Sequence, residues 1–293
     1  MRRHDVEVAL GHLPANDFAG FVATIPLPET RHHSWCAIDV VAITRRGPSG
    51  RLSIRYRTNY REGIPDPPLE LASRVTRLEN LEAYWVSGLQ TAGEFFSALM
   101  RHADLAAIHR LLDWGCGCGR VTSLFLRNSP IEEIHGCDVD GQAIAWCSAN
   151  LTKGHFRRTE PHPPTPYADG TFDAIISFSV FTHLTRDVQK EWLREMRRVL
   201  KPGGIFLASV HGEFAASFSD DSSVRRDLQS DGISDGLLDH KLDAIAPEAY
   251  YRCVYQTRAY TTCEWSPYFD IVEYVERSMG HYQDLVVLRK PAG

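Results

Sequence analysis

The residues best placed to do chemistry in this chain are LLDWGCGCGR, from Leu111 to Arg120. They stand where a short apolar strand gives way to a helical pattern. Glycines at such a junction let the backbone approach a ligand closely, and the helix start offers free N–H groups. Two ligand chemistries use a loop of this kind. A dinucleotide fingerprint has its third glycine three residues after the second, where helix and strand pack tightly. Counting from Gly115 and Gly117, that place is occupied by Arg120; the third glycine is Gly119, and Asp113 precedes the first. A carboxylate at Asp113 would repel a pyrophosphate and suits a cationic amino group, such as the methionyl end of S-adenosylmethionine. Further on, IHGCDVD puts Asp138 just beyond a second apolar run. A carboxylate there can accept hydrogen bonds from both ribose hydroxyls, while Asp140 reads as the cap of the next helix.

Methyl transfer from a sulfonium needs in-line alignment and, for some acceptors, a base. His183 in SVFTHL and His211 in SVHGE follow two later apolar strands, at the sheet edge where ligands bind. Both are candidate catalytic residues, and both have a structural alternative in capping or packing. Glu213 is a candidate acceptor contact. Arg120 either orients a carboxylate or pairs with an acid on a neighbouring helix.

These residues need a scaffold, and the hydrophobic patterning describes one. Residues 1–62 read as a β-rich appendage. WCAIDVVAIT (Trp35–Thr44) and RLSIRYRT (Arg51–Thr58) are strand-like, with turn chemistry at 45–50 between them, and EGIPDPPLE (Glu62–Glu70) is a linker. From there to 293 strands and helices alternate, which implies a parallel sheet with helices on both faces. LASRVTRLENLEAYW and TAGEFFSALMRHADL read as separate helices. TRDVQKEWLREMRRVL is the clearest helix, with Val188, Trp192, Met196 and Val199 or Leu200 on one face. Two strand-like runs at the end, YFDIVEYVER and YQDLVVLRK, are joined so briefly that they must pair antiparallel.

Residues 212–265 interrupt this alternation, first polar and then aromatic. Loops at a sheet's carboxyl edge supply specificity and can close over a site. The segment reads as a substrate lid, with Tyr250, Tyr251, Tyr255, Tyr260 and Trp265 as candidate lining residues. The competing reading is that these rings fill a minor core.

LLDWGCGCGR, GCDVD, YADGTFDAIISFSVFTHL and WLREMRRVLKPGGIFLASVHG together resemble the ordered motifs of class I S-adenosylmethionine-dependent methyltransferases, of the bacterial small-molecule type. The resemblance spans roughly residues 80 to 290. It implies a Rossmann-like, seven-stranded, mostly parallel α/β sheet with an antiparallel C-terminal strand. It also implies S-adenosylmethionine as cofactor, with contacts at Asp113, Gly115, Cys116, Gly117, Gly119, Asp138 and Val139. Phe178 and Ser179, at the end of the fourth strand of the motif, would face cofactor and substrate. Tyr84 and Gly88 are candidates for the methionine end. One departure stands out: the acid that many members place against the adenine amine has no clear counterpart in FRRTEPHPPTPYADGTFD, where Glu160 is the nearest. Backbone groups and stacking would have to serve.

Composition bounds the rest. The 293 residues are 43% hydrophobic and 24% charged, with a net charge of −5. That balance argues against broad electrostatic binding to nucleic acid or acidic lipid. MRRHDVEVALGHLP lacks the apolar run of a signal peptide, and no stretch suits a membrane span. Seven cysteines without paired CxxC units read as reduced thiols in a cytoplasmic protein, and the Cys116–Cys118 pair is a poor metal site. The expectation is therefore a cytoplasmic enzyme methylating oxygen of a small acceptor in secondary metabolism or sugar modification, with no metal, nucleic acid or membrane partner. N- or C-methylation and a catalytically silent cofactor-binding scaffold are the alternatives, and a homodimer is one role for the N-terminal segment.

Overall fold

The computed structural model describes the backbone of residues 35–44 and 47–57, and residues 63–292 apart from 77–79, 241–242, 244 and 248. The expected turn residues Arg45 and Arg46, the strand end at Thr58 and Glu62 at the head of the linker lie outside the described residues. The chain divides into two compact units, Met1–Tyr60 and Arg61–Gly293.

In the first unit β1 (Trp35–Thr44) pairs antiparallel with β2 (Gly47–Arg57). The second strand begins earlier than the turn chemistry suggested, because the ladder absorbs Pro48 at a register shift beside Ala42 and Ile43. Proline lacks the N–H that a regular ladder needs, so a bulge is where it fits.

The second unit is built on seven strands: β3 (Arg110–Trp114), β4 (Glu133–Asp138), β5 (His155–Arg158), β6 (Phe172–Ser177), β7 (Leu200–Val210), β10 (Asp270–Met279) and β11 (Gln283–Arg289). Their order across the sheet is β10-β11-β7-β6-β3-β4-β5. All neighbours from β7 to β5 are parallel; β11 runs antiparallel to both β7 and β10. This is the Rossmann-like arrangement with one reversed strand near the C-terminus. A row of register partners, Leu112, Ile175, Phe206 and Leu288, crosses four strands with no exposed surface. Helices cover both faces of such a sheet, which is why its strands read as near-continuous apolar runs.

Seven helices and turns of the second unit matter to the site. They are α1 (Leu69–Val75), α2 (Leu81–His102), α3 (Thr122–Asn128), α4 (Gly141–Asn150), α5 (Arg186–Val199), α6 (Glu213–Ala216) and α7 (Ser222–Ser230). The reading of two separate helices over residues 71–105 is corrected: α1 ends at Val75, and one long helix, α2, starts at Leu81, capped by Asn80, whose side chain accepts the N–H of Ala83 at 2.7 Å. In α5, Trp192, Leu193, Met196 and Val199 are buried against the sheet. Strand β5 escaped the pattern because His155–Arg158 is largely exposed and polar.

The interruption after β7 is ordered structure. It contains α6, α7, the small antiparallel pair β8 (Ile233–Leu238) and β9 (Arg252–Gln256), and α8 (Arg258–Trp265). Ala215, Val224 and Tyr255 form its own buried cluster. Arg186, at the start of α5, ties it down through Asp235, with Nε 3.1 Å and the backbone N–H 2.9 Å from one carboxylate oxygen. Among the described residues no helix is long and apolar enough to cross a membrane.

Candidate active site

The carboxyl ends of β3, β4, β6 and β7 open onto one cavity of about 620 Å³, as expected where parallel strands end. After β3 the chain turns through three left-handed glycines, Gly115 (φ +80°), Gly117 (φ +53°) and Gly119 (φ +78°). A Cβ on Gly115 would stand 2.2 Å from Val180 Cγ2, and one on Gly117 2.4 Å from Val75 Cγ1. No side chain fits between this loop and its neighbours, so the backbone itself forms the cavity floor.

Two carboxylates flank the floor. Asp138, at the end of β4, accepts the Gly117 N–H through Oδ2 and the Asp140 N–H through Oδ1, both at 2.8 Å. Burial raises its pKa, opposed by these amides. Asp113 is 3% exposed; burial pushes its carboxyl up to about 7, opposed by the Thr122 hydroxyl that donates to it at 2.6 Å. Asp140 caps α4 by accepting the N–H groups of Gln142 and Ala143, and also takes Arg74 of α1 at 2.8 Å.

The buried cation of the site is Arg120. It is buried, donates to Ser87 Oγ at 2.7 Å and lies over the Phe178 ring at 5.2 Å. It has no carboxylate partner among the described residues, so it does not pair with an acid on a neighbouring helix. Burial lowers its pKa, opposed by Tyr84, Cys118 and Asp113 nearby, none of which forms an ion pair with it. A buried guanidinium without an anion is suited to receive one.

Comparison with known proteins agrees with this geometry. A family model described as a methyltransferase domain matches residues 112–208. The crystal structure of an S-adenosylmethionine-dependent methyltransferase from Methanosarcina mazei superposes with a TM-score of 0.51, covering 67% of this chain and 98% of that one at 16% identity. Residues 112–208 carry a methyltransferase domain, on the fold of the Methanosarcina protein. Among sequence relatives, the ribosomal RNA small subunit methyltransferase C of Shewanella sediminis is 30% identical over 38% of this chain and 34% of its own length. The methyltransferase GfsG of Streptomyces halstedii is 29% identical over 41% of this chain and 46% of its own. The chain thus spans about a third of the length of the first of these relatives. A relative named for ribosomal RNA runs against the expectation that nucleic acid plays no part.

The residues of the methyltransferase domain fit the cofactor that its family takes. Asp138 retains acceptor capacity for ribose hydroxyls after binding two amides. Asp113 and Arg120 offer opposite charges to an amino group and a carboxylate. The wall beyond Val139 and Ala143 is made by Thr159, Pro161, Tyr250 and Tyr251. Glu160 does not line it, so an adenine ring would meet stacking surfaces and backbone groups. Tyr250 reaches across this wall, donating its hydroxyl to the Pro161 carbonyl.

Of the residues expected from sequence, Asp113, Gly115, Cys116, Gly117, Asp138, Val139, Phe178, Ser179, His183, His211, Tyr250, Tyr251 and Tyr255 all line the cavity. Six others do not. Tyr84 is fully buried, its hydroxyl 3.2 Å from Cys118 Sγ. Gly88 lies under Arg120, where a Cβ would be 2.7 Å from Arg120 Cγ, and Gly119 faces Leu151 and Cys147. Both glycines therefore shape the loop from behind. Glu213 is exposed on α6, and Tyr260 is half-buried on α8, away from the cavity lining. Trp265 is 1% exposed and packs on Phe181 at 4.6 Å, in the main core. The ring is core rather than lid, and it joins the main core instead of a minor one, because α8 turns it inward against Phe181 and Phe269.

Sequence reasoning missed Arg74, Ser87, Thr159, Asp239, Tyr282 and Gln283, which also line the cavity. None belongs to a motif, and each arrives from an element distant in sequence. Gln283 closes a ring of hydrogen bonds. Its Nε2 donates to Ser179 Oγ at 3.0 Å, Ser209 Oγ donates to its Oε1 at 2.7 Å, and the Ser179 N–H donates to Ser209 Oγ at 2.7 Å. Ser179 sits at φ +60°, a strained conformation for serine that this ring holds in place.

Proposed function

We propose that the domain binds S-adenosylmethionine and transfers its methyl group to oxygen of a small-molecule acceptor. The observation that carries this reading is the continuity of the cavity. One space joins the glycine loop and Asp138 to a wall of rings and imidazoles: Trp192, His183, His211, Tyr251, Tyr255 and Tyr282. When bound, the sulfonium supplies an electrophilic methyl group to whatever nucleophile is aligned with it. The chain supplies Asp138 for the ribose, Asp113 and Arg120 for the methionyl amine and carboxylate, and the insertion over residues 212–265 as the acceptor's cover. A ring-lined cavity of this size favours a small acceptor over a folded polymer. The net charge of −5 favours the same side.

Acceptor RNA is the second reading, and the Shewanella relative's name is what favours it. The cofactor is tested by calorimetric titration with S-adenosylhomocysteine and, separately, NAD, on the wild type and Asp138→Ala. Micromolar binding of the first alone, lost in the variant, supports the proposal; binding of NAD alone ends it. Labelling of total RNA by S-[methyl-3H]adenosylmethionine would move the acceptor to the second reading.

A further inference from the structure

We propose that His183 is the base that takes the proton from a phenolic hydroxyl of the acceptor, with Asp239 as its positioning residue. The inference rests on the methyl-transfer reading above and names the acceptor class of that site.

His183 closes the short 3-10 turn Phe181–His183 that follows β6, and its ring lines the cavity. Its Nδ1 lies 2.9 Å from the Arg252 carbonyl oxygen. A carbonyl only accepts, so Nδ1 carries the proton and Nε2 keeps its lone pair. Nε2 has no hydrogen-bond partner among the described residues. Asp239 Oδ2 stands 3.4 Å from the same Nδ1. A carboxylate behind the ring holds its tautomer and stabilises the imidazolium that forms when Nε2 takes a proton. The groups that meet the ring from the insertion are Asp239, the Arg252 carbonyl and the edge of Tyr251 at 5.6 Å.

His211 also sets its Nδ1 against a backbone carbonyl, that of Val254 at 3.2 Å, but its ring is more enclosed. It is 9% exposed and held between two rings, stacked on Tyr255 at 5.3 Å and edge-on to Tyr282 at 5.4 Å. Its place is in the wall.

Proton affinity selects the acceptor. A phenol is acidic enough for an imidazole to take its proton as its oxygen attacks. An aliphatic hydroxyl, a much weaker acid, gives its proton to the same base less readily. The wall agrees, because Trp192, Tyr251, Tyr255 and Tyr282 line it with aromatic carbon. Thus His183 Nε2 accepts the phenolic proton, the freed oxygen pair forms the new O–C bond as the C–S bond breaks with its pair returning to sulfur, and the imidazolium releases its proton to solvent.

The test needs no turnover. The full chain, saturated with S-adenosylhomocysteine, is titrated with 4-nitrophenol at one fixed pH, where absorbance separates phenol from phenolate. The wild type should bind the probe and hold a larger fraction as phenolate than free solution does. His183→Gln should bind the probe yet return the ionised fraction to the free value. Asp239→Asn should lower the phenolate-to-phenol ratio at least ~3-fold, with S-adenosylhomocysteine affinity unchanged in both variants as proof of folding. Unchanged ionisation in His183→Gln, or in Asp239→Asn should the first variant not fold, would overturn the assignment. A chain that binds S-adenosylhomocysteine but no phenol overturns the acceptor class. A wild type that binds no S-adenosylhomocysteine refutes the underlying reading instead.

Discussion

Asp138 accepts the backbone N–H of Gly117 at 2.8 Å, so the carboxylate at the end of β4 and the glycine loop after β3 form one piece. The bond requires the left-handed backbone at Gly117, and the loop's outer side is sealed by Val75 of α1. Gly117→Ala adds a Cβ where Val75 already stands and strains φ by roughly 1–2 kcal/mol. The expected result is at least a ~10-fold loss of S-adenosylhomocysteine affinity, corresponding to about 1.4 kcal/mol, read by calorimetry. Unchanged affinity would show that the loop does not touch the cofactor.

Asp113 makes the cofactor-free protein sensitive to pH. Its folded pKa near 7 lies above the ordinary carboxylate value of 3.8, so the folded state holds a proton that the unfolded chain releases. Stability from this group is present below about pH 4 and is lost as pH rises towards 7. Asp113→Asn should flatten that decline, gaining on the order of 1–3 kcal/mol at pH 8 relative to the wild type. Urea denaturation at pH 5 and pH 8 reads it. A parallel decline in both proteins would remove Asp113 as its source.

Affinity for a cationic amine should move the opposite way. The ionised Asp113 is the form that attracts it, so wild-type binding of S-adenosylhomocysteine strengthens as pH rises from 6 to 8. In Asp113→Asn this dependence disappears, because no carboxylate remains to ionise.

Trp265 tests the boundary between core and lid. Its burial against Phe181 predicts that Trp265→Ala costs about 3–5 kcal/mol of stability, as large core truncations do. Cofactor affinity in the folded fraction should not change. A stable variant with impaired acceptor binding would return Trp265 to the cavity.

Ser209 holds the strained Ser179 through one hydrogen bond and Gln283 through another. Ser209→Ala leaves both partners unsatisfied where Ser209 has no exposed surface, at a cost of about 1–3 kcal/mol. Methyl transfer should fall with kcat more than KM, since Ser179 lines the cavity where nucleophile and methyl must align. An equal stability loss with unchanged kcat would make the ring purely structural.

Much of the scaffold was legible because its signals are local. The apolar runs of β3, β6 and β7 and the charged-apolar alternation of α5 each lie within one element. The loop motif from Asp113 to Gly119 and the strand-end Asp138 follow from spacing and backbone chemistry alone. The polar strand β5 and the pair β8–β9 were not legible, since neither carries a period-2 apolar pattern against the main core.

The sequence by itself determined the alternating strands and helices of a parallel sheet and the antiparallel pairing of its last two strands, because periodicity and short connections are properties of neighbouring residues; the seven-stranded Rossmann-like form was what the family resemblance implied. Tertiary structure alone decided which of the clustered rings face the cavity, sending Trp265 inward and Tyr251 to the wall. It also brought Asp239 to His183 and Gln283 to Ser179, across separations of 56 and 104 residues. Contacts of that kind arise from how the insertion and β11 pack on the strand ends, and no motif encodes them.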